Sequence, residues 1–255
     1  MNIDEEIRFF DEFQAEHGDY DVLSEGTYRR LLVAFARRVR PQHDQRCVDL
    51  GCGTGAFTRR LLAFGLQLTG VDISPRNVER ANALSKGESY VVADMRTTGL
   101  PDASADVITY SGVLHHVPED DTRVDVLREG LRILKPGGTM FAFDPNAHSP
   151  SMFLFRDPRS PLYSSKGKTP NEVLLSKKQL RSQLAAAGFW EIDVDGAGGI
   201  TFQYVDSGVA RAILPFYNAY EHFLRLPPLG KFLGTFLITS ARKPSASRSA
   251  DRPAA

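Results

Sequence analysis

The sequence predicts an α/β fold: a mostly parallel sheet with helices on both faces. Three observations predict it. Between residues 47 and 144 short apolar runs alternate with amphipathic stretches, the pattern of successive βαβ units. A glycine-rich turn sits between an apolar run and a helical stretch at 48–61, VDLGCGTGAFTRRL. Carboxylates stand at the ends of the next two apolar runs, Asp72 and Asp94, where open α/β sheets collect their ligands.

The elements follow in order. Residues 3–17 and 25–40 carry helical periodicity through Ile7, Phe10 and Phe13, then Leu31, Leu32, Phe35 and Val39, and Pro41 stops the second helix. CVDL at 47–50 is a strand, followed by the glycine turn and a helix over 56–64. LQLTGVD at 66–72 is a second strand. Ser74 and Pro75 then offer an N-cap and a first-turn proline for a helix reaching about residue 85. SYVVAD at 89–94 and ADVITYS at 105–111 are further strands. A helix over 120–134 ends at Lys135-Pro136-Gly137-Gly138, and TMFAFD at 139–144 is the fifth strand. Residues 146–170, rich in Pro, Ser and aromatics, read as an irregular insertion. A helix over 176–187 stops at Gly188. A strand with a glycine interruption covers 189–205, a helix 207–225 and a last strand 231–242. One domain is expected over 1–243, with a helical cap at 1–40, a core at 41–145 and cap and substrate elements at 146–230; the polar tail 244–255 is expected to be disordered.

Composition narrows the function. Lys plus Arg and Asp plus Glu are 31 each, a net charge of zero, whereas a protein that grips a nucleic acid backbone carries a basic excess; no nucleic acid partner is expected. MNIDEEIRFF is acidic and is not read as a signal peptide. The most apolar later stretch, 209–240, is broken by Arg211, Glu221, His222, Arg225 and Lys231, so no membrane span is expected from it. Cys47 and Cys52 lie beside and within the glycine motif, not on a loop framework, which suggests reduced thiols and a cytoplasmic setting.

The glycine spacing discriminates among nucleotides. Gly51, Gly53 and Gly55 make G-x-G-x-G, preceded by Asp49 inside the strand. A dinucleotide site reads G-x-G-x-x-G and a P-loop G-x-x-x-x-G-K-[ST]. An adenosine ligand without a pyrophosphate is favoured, which disfavours a nicotinamide oxidoreductase. Asp72 is placed to accept from a ribose diol, or to cap the following helix. Asp94 can accept from an exocyclic amine, or start a turn, and Met95 offers a soft surface to a purine. His115 and His116 follow the fourth strand. They could serve as a general base, or simply cap and pack. With Glu119 and Asp120 they suggest metal ligands, but no further histidine stands at ligand spacing, and no metal is expected.

Taken in order, VDLGCGTG, GVDIS, VVADMRTTGLP, ADVITYSGVLHHVPE and LRILKPGGTMFAFDPN closely resemble the class I S-adenosylmethionine-dependent methyltransferases of small-molecule type. The resemblance covers about residues 25–145, and the remainder as a general layout. It implies a Rossmann-like, seven-stranded sheet whose last strand runs antiparallel. It implies S-adenosyl-L-methionine as cofactor, with Gly51, Cys52, Gly53 and Asp49 around its methionine part, Asp72 on the ribose, and Ile73, Asp94 and Met95 on the adenine. Ser111 and Gly112 would approach the methionyl portion, and Tyr20 or Tyr28 its carboxylate. The expected activity is methyl transfer to the oxygen, nitrogen or carbon of a small molecule by direct displacement. The alternatives are non-methylating chemistry on the same cofactor, such as a cyclase, or binding without catalysis. The acceptor pocket is expected from the N-terminal helices, the 146–170 insertion and residues 207–229, through His116, Phe153, Phe155, Tyr163, Phe216, Tyr217 and Tyr220. Arg156, Arg159, Lys166 and Lys168 make the insertion basic, either as an anion-recognising segment or as a solvated loop.

Overall fold

The computed structural model describes residues 3–17, 23–160, 163, 168–169, 171–202, 208–226 and 228–245. Strands β1 (Arg46–Leu50), β2 (Gln67–Asp72), β3 (Ser89–Val92), β4 (Ala105–Ser111), β5 (Leu134–Pro145), β6 (Trp190–Ala197) and β7 (Phe236–Arg242) form one sheet in the order β3-β2-β1-β4-β5-β7-β6. The pairs among β1 to β5 are parallel; β7 runs antiparallel between β5 and β6. The order reverses at β1, whose neighbours are β2 on one side and β4 on the other. That is the switch point beside which doubly wound sheets open a crevice.

Strand alternation builds a core on each face. Val48 and Leu50, Ile108 and Tyr110, and Met140 and Ala142 point one way, under α5 (Asp120–Ile133) and α7 (Lys177–Ala187). Cys47, Val107, Phe141 and Phe143 point the other way, under α2 (Glu25–Val39) and α3 (Ala56–Leu61). Fully buried Phe35 of α2 meets the rings of Phe64 and Phe141 at 5.3 Å and that of Phe57 at 6.4 Å. Truncating so enclosed a ring to alanine costs about 3–5 kcal/mol. Helix α4 (Pro75–Ala83) starts as expected, Ser74 accepting from the Asn77 N–H with Pro75 in the first turn.

Four expectations are corrected. Lys135-Pro136-Gly137-Gly138 does not separate helix from strand: β5 begins at Leu134, and the four residues lie inside it where the pairing with β4 shifts register. The 146–170 insertion contains a helix, α6 (Pro150–Arg156), because Ser149 caps it and Pro150 occupies its first turn. The sixth strand ends at Ala197, since Gly198 abuts the Leu224 backbone, leaving no room for a side chain. Residues 231–233 belong to α9 (Leu229–Leu233), and only Phe236 starts β7. Helices α1 (Ile3–His17) and α8 (Gly208–Phe223) lie where the periodicity puts them, and no helix among the described residues is long and apolar enough to cross a membrane.

Candidate functional site

The carboxyl ends of β1, β2 and β4 open into a cleft of about 260 Å³. Its floor is the glycine turn. Gly51, at φ 74°, donates its N–H to Val71 O at 2.7 Å, and a Cβ there would lie 2.3 Å from Val113, so only glycine fits. Gly53, at φ 54°, is different: a Cβ there would meet nothing within 4 Å, so its backbone fronts the cleft. Cys52, Asp72, Ile73, Asp94, Met95, Ser111 and Gly112 line the same space.

Asp72 ends β2 and shapes the turn. Its carboxylate accepts from Gly53 N at 2.8 Å, Ser74 N at 3.0 Å and Asn77 Nδ2 at 3.3 Å. Burial pushes its pKa up against the pull of those donors. Asp94 lies two residues past the end of β3, and Arg96 Nε approaches both its oxygens, at 2.9 and 3.1 Å. Burial raises its pKa, but the Arg96 hydrogen bonds win and hold it below the usual carboxylate range. Asp49 is not on the cleft surface. It is fully buried behind the turn, where Thr58 and Ser111 hydroxyls donate to it at 2.6 Å and Thr109 at 2.7 Å. It therefore braces Ser111 from below, and burial pushes its own pKa up.

The turn after β4 carries the histidines. His115 Nδ1 lies 3.0 Å from Asp144 Oδ1 at the end of β5, and its backbone N–H donates to the same oxygen at 3.1 Å. His116 Nδ1 lies 2.9 Å from Glu6 Oε1 of α1 and 3.2 Å from Thr169 Oγ1. The two rings are 4.1 Å apart. Burial, then the neighbouring His116, drive the His115 pKa well down. Burial also lowers that of His116, but the Glu6 hydrogen bond and the charges of Glu172, Glu6 and Asp144 outweigh it and leave it raised. Asp144, enclosed on all sides, is pushed up to about 7 by burial.

The cleft walls come partly from elsewhere than expected. Helix α1 contributes Glu6, Phe9, Phe10 and Phe13, and α2 contributes Tyr28. From α6 come Met152 and Arg156, one helical turn apart. That spacing turns Phe153 and Phe155 away from the cleft; Arg159 lies over the Phe153 ring at 5.7 Å. Tyr163 faces Lys168 on the exterior, and Phe216 is 77% exposed. Tyr217 donates its hydroxyl to Ile200 O at 3.0 Å and, like Tyr220, is not among the lining residues. Phe202 and Phe236 take the expected place of the 207–229 aromatics. Tyr20 and Lys166 lie outside the described residues.

Sequence reasoning did not find Glu6, Asp144 or Glu172; it singled out Arg156 as one cation of a basic insertion, and of that set's described residues only Arg156 lines the cleft. Glu6 had a signal: it shares a helix face with Phe10 and Phe13, an acid on an apolar stripe. Glu172 had none. It arrives because Val173 N–H donates to His115 O at 2.8 Å. A larger cavity, about 640 Å³, opens at the opposite edge of the sheet. Charged neighbours satisfy one another there, Lys135 with Asp106 at 2.8 Å and Arg242 with Glu191 at 3.7 Å, far from the glycine turn.

The adenosyl cofactor expected from the resemblance fits the residues present. Open space faces the Gly53 backbone, a carboxylate stands at each of two neighbouring strand ends, and Ile73 and Met95 supply an apolar border between them. Residues 48–142 match the family described as a methyltransferase domain. The 27-O-demethylrifamycin SV methyltransferase of Amycolatopsis mediterranei is 34% identical over 49% of this chain and 48% of its own length. A ubiquinone biosynthesis O-methyltransferase of Xanthomonas campestris is 34% identical over 44% of this chain and 47% of its own. The chain thus spans about half the length of the curated relatives it matches. Among solved structures, phosphoethanolamine N-methyltransferase 2 of Haemonchus contortus in complex with S-adenosyl-L-methionine superposes with a TM-score of 0.62 at 17% identity, covering 94% of this chain and 57% of that one.

Proposed function

We propose that the chain, whose residues 48–142 match the methyltransferase-domain family, is a class I S-adenosylmethionine-dependent enzyme that methylates a small-molecule acceptor by direct displacement. The observation that carries the reading is the single cleft into which the glycine turn, Asp72, Asp94 and the histidine pair all open. S-adenosylmethionine, when bound, would supply an electrophilic sulfonium methyl carbon to an acceptor oxygen, nitrogen or carbon, its carbon–sulfur bond breaking with the electron pair kept by the sulfur of S-adenosylhomocysteine.

The protein's own task is binding, orientation and exclusion of water. Asp72 accepts from the ribose hydroxyls and Asp94 from the adenine amine, with Ile73 and Met95 flanking the purine. Cys52, the Gly51 and Gly53 backbones, Ser111, Gly112 and Tyr28 enclose the methionyl end, with Asp49 fixing Ser111 in place. The acceptor lies toward His115 and His116, under Phe9, Phe10, Phe13, Met152, Phe202 and Phe236, whose apolar walls suit an organic molecule. The balanced net charge favours such an acceptor over a nucleic acid. Two free, buried thiols support a reducing, cytoplasmic setting.

The test is incubation of the purified chain with cofactor labelled at the methyl group and a panel of phenolic, hydroxylated and amine acceptors, read by mass spectrometry. Label appearing in an acceptor with matching release of S-adenosylhomocysteine supports the reading. Cofactor returned intact across the panel, or turned over with its label in no acceptor, counts against it.

A further inference from the structure

We propose that His115, His116 and Glu172 form a site for one divalent first-row transition cation at the acceptor end of the cleft. The inference rests on reading that cleft as catalytic. One ring nitrogen from each histidine and a Glu172 carboxylate oxygen lie within 4.8 Å of one another, and all three residues line the cleft.

The surroundings are those of a metal centre. His115 Nδ1 is engaged by Asp144 and His116 Nδ1 by Glu6, which leaves Nε2 of each ring as the nitrogen able to donate to a cation. A carboxylate behind each ligating imidazole fixes its orientation and raises its basicity. The second oxygen of Asp144 is buried without a hydrogen-bond partner among the described residues, so Asp144 is given over to His115. Glu172 makes no side-chain hydrogen bond or ion pair among the described residues, although it sits half-buried beside two imidazoles. Glu6 and Glu172 line the cleft beside the pair and Asp144 lies behind His115, three carboxyl groups against the guanidinium of Arg156 at the cleft and that of buried Arg123 behind Asp144, so the local charge suits a cation.

Two histidines and one carboxylate that open onto a cleft leave a coordination position for a substrate. That is the arrangement of catalytic rather than structural zinc. Nitrogen and carboxylate donors together select zinc, iron, cobalt or nickel over magnesium and calcium, which prefer oxygen alone. An acceptor hydroxyl in the open position would be acidified. Its O–H bond breaks with the proton passing to solvent, and its oxygen bonds to the methyl carbon. The carbon–sulfur bond breaks with its electron pair retained by sulfur. The sequence reading weighed Glu119 and Asp120 beside the two histidines, whereas the loop before α7 brings Glu172 to them.

The test uses the untagged full chain, stripped with chelator, titrated with Co2+ and followed by visible absorption and calorimetry, with S-adenosylhomocysteine binding measured on the same samples. The expected result is one saturable Co2+ per chain with low-symmetry absorption bands, and at least about tenfold weaker binding in Glu172→Gln and in His116→Asn. Absence of saturable binding by the wild type, or wild-type affinity in both variants, overturns the site. Unchanged S-adenosylhomocysteine affinity in the variants shows that they are folded. A wild type that binds S-adenosylhomocysteine but no Co2+ overturns this inference alone. One that binds Co2+ but not S-adenosylhomocysteine overturns the cofactor reading alone.

Discussion

Glu6 Oε1 of the N-terminal helix lies 2.9 Å from His116 Nδ1 on the turn after β4, and Asn171 donates to the other Glu6 oxygen at 2.6 Å. One buried carboxylate thus ties α1 to two loops of the site, and Asp11, accepting from Ser74 Oγ, adds a second tie. Glu6→Ala removes the first and leaves His116 and Asn171 without that partner. Amide exchange across α1 is expected to accelerate at least about tenfold, the equivalent of losing one charged hydrogen bond of about 1.5–3 kcal/mol. Unchanged exchange would mean that α1 is held by its aromatic face alone.

Phe10 packs edge-on against His116, with centroids 5.3 Å apart, and lines the part of the cleft proposed for the acceptor. Phe10→Ala is expected to raise the acceptor KM about 10- to 100-fold, the worth of a buried aromatic side chain, while cofactor affinity holds. Equal losses for acceptor and cofactor would place Phe10 in general support of the cleft instead.

Arg123 is fully buried in α5 and gathers the turn that carries the histidines. It donates to Leu114 O at 3.2 Å, Val117 O and Pro118 O at 3.3 Å, and pairs with Asp120 at 2.9 Å. Arg123→Met fills similar volume but strands those carbonyls, so a loss of about 1–3 kcal/mol for each one left unsatisfied is expected in denaturant unfolding. A loss below about 1 kcal/mol, the range of surface ion pairs, would contradict this role.

Glu129 is 9% exposed and bridges α5 to the segment after β3. Arg132 donates to both its oxygens at 2.7 Å, and Thr98 donates through N at 2.8 Å and Oγ1 at 2.6 Å. The Arg132 hydrogen bonds, ahead of those from Thr98, lower its pKa from 4.5 to about 2. A carboxylate depressed on folding stabilises above its unfolded pKa, and that stability drains as pH falls from about 4.5 toward 2. Its contribution is on the order of 2 kcal/mol. Denaturant midpoints of wild type and Glu129→Gln should therefore differ at pH 7, and the gap should narrow to less than about half by pH 3 and close only below about pH 2. A gap that persists undiminished at pH 3 would assign the effect to packing.

Much of this was legible in the sequence because the signals are local. Alternation along 47–50, 105–111 and 139–144 sets the strands, and Gly51 and Gly53 after Leu50, with Asp72 and Asp94 near strand ends, line the cleft as their positions suggest. What failed depends on direction or on distant packing. The sequence supplies aromatics at 153 and 155, but helical geometry gives the cleft their neighbours Met152 and Arg156. It supplies His115 and His116, but their partners come from α1, the end of β5 and the loop before α7, and no spacing rule joins these. The start of β7 is misread from sequence because Phe232 and Leu233 are apolar enough to read as strand, yet lie in the short helix α9.

Calorimetric titration of S-adenosylhomocysteine into the wild type and Asp72→Ala tests the central claim most directly, because Asp72 both orders the Gly53 turn and faces the cleft. The account predicts one site per chain in the wild type. In the variant it predicts a loss of about 2–3 kcal/mol, roughly 30- to 150-fold, as expected for charged hydrogen bonds removed from a partly enclosed site. A wild type that does not bind, or a variant that binds as tightly as the wild type, would contradict it.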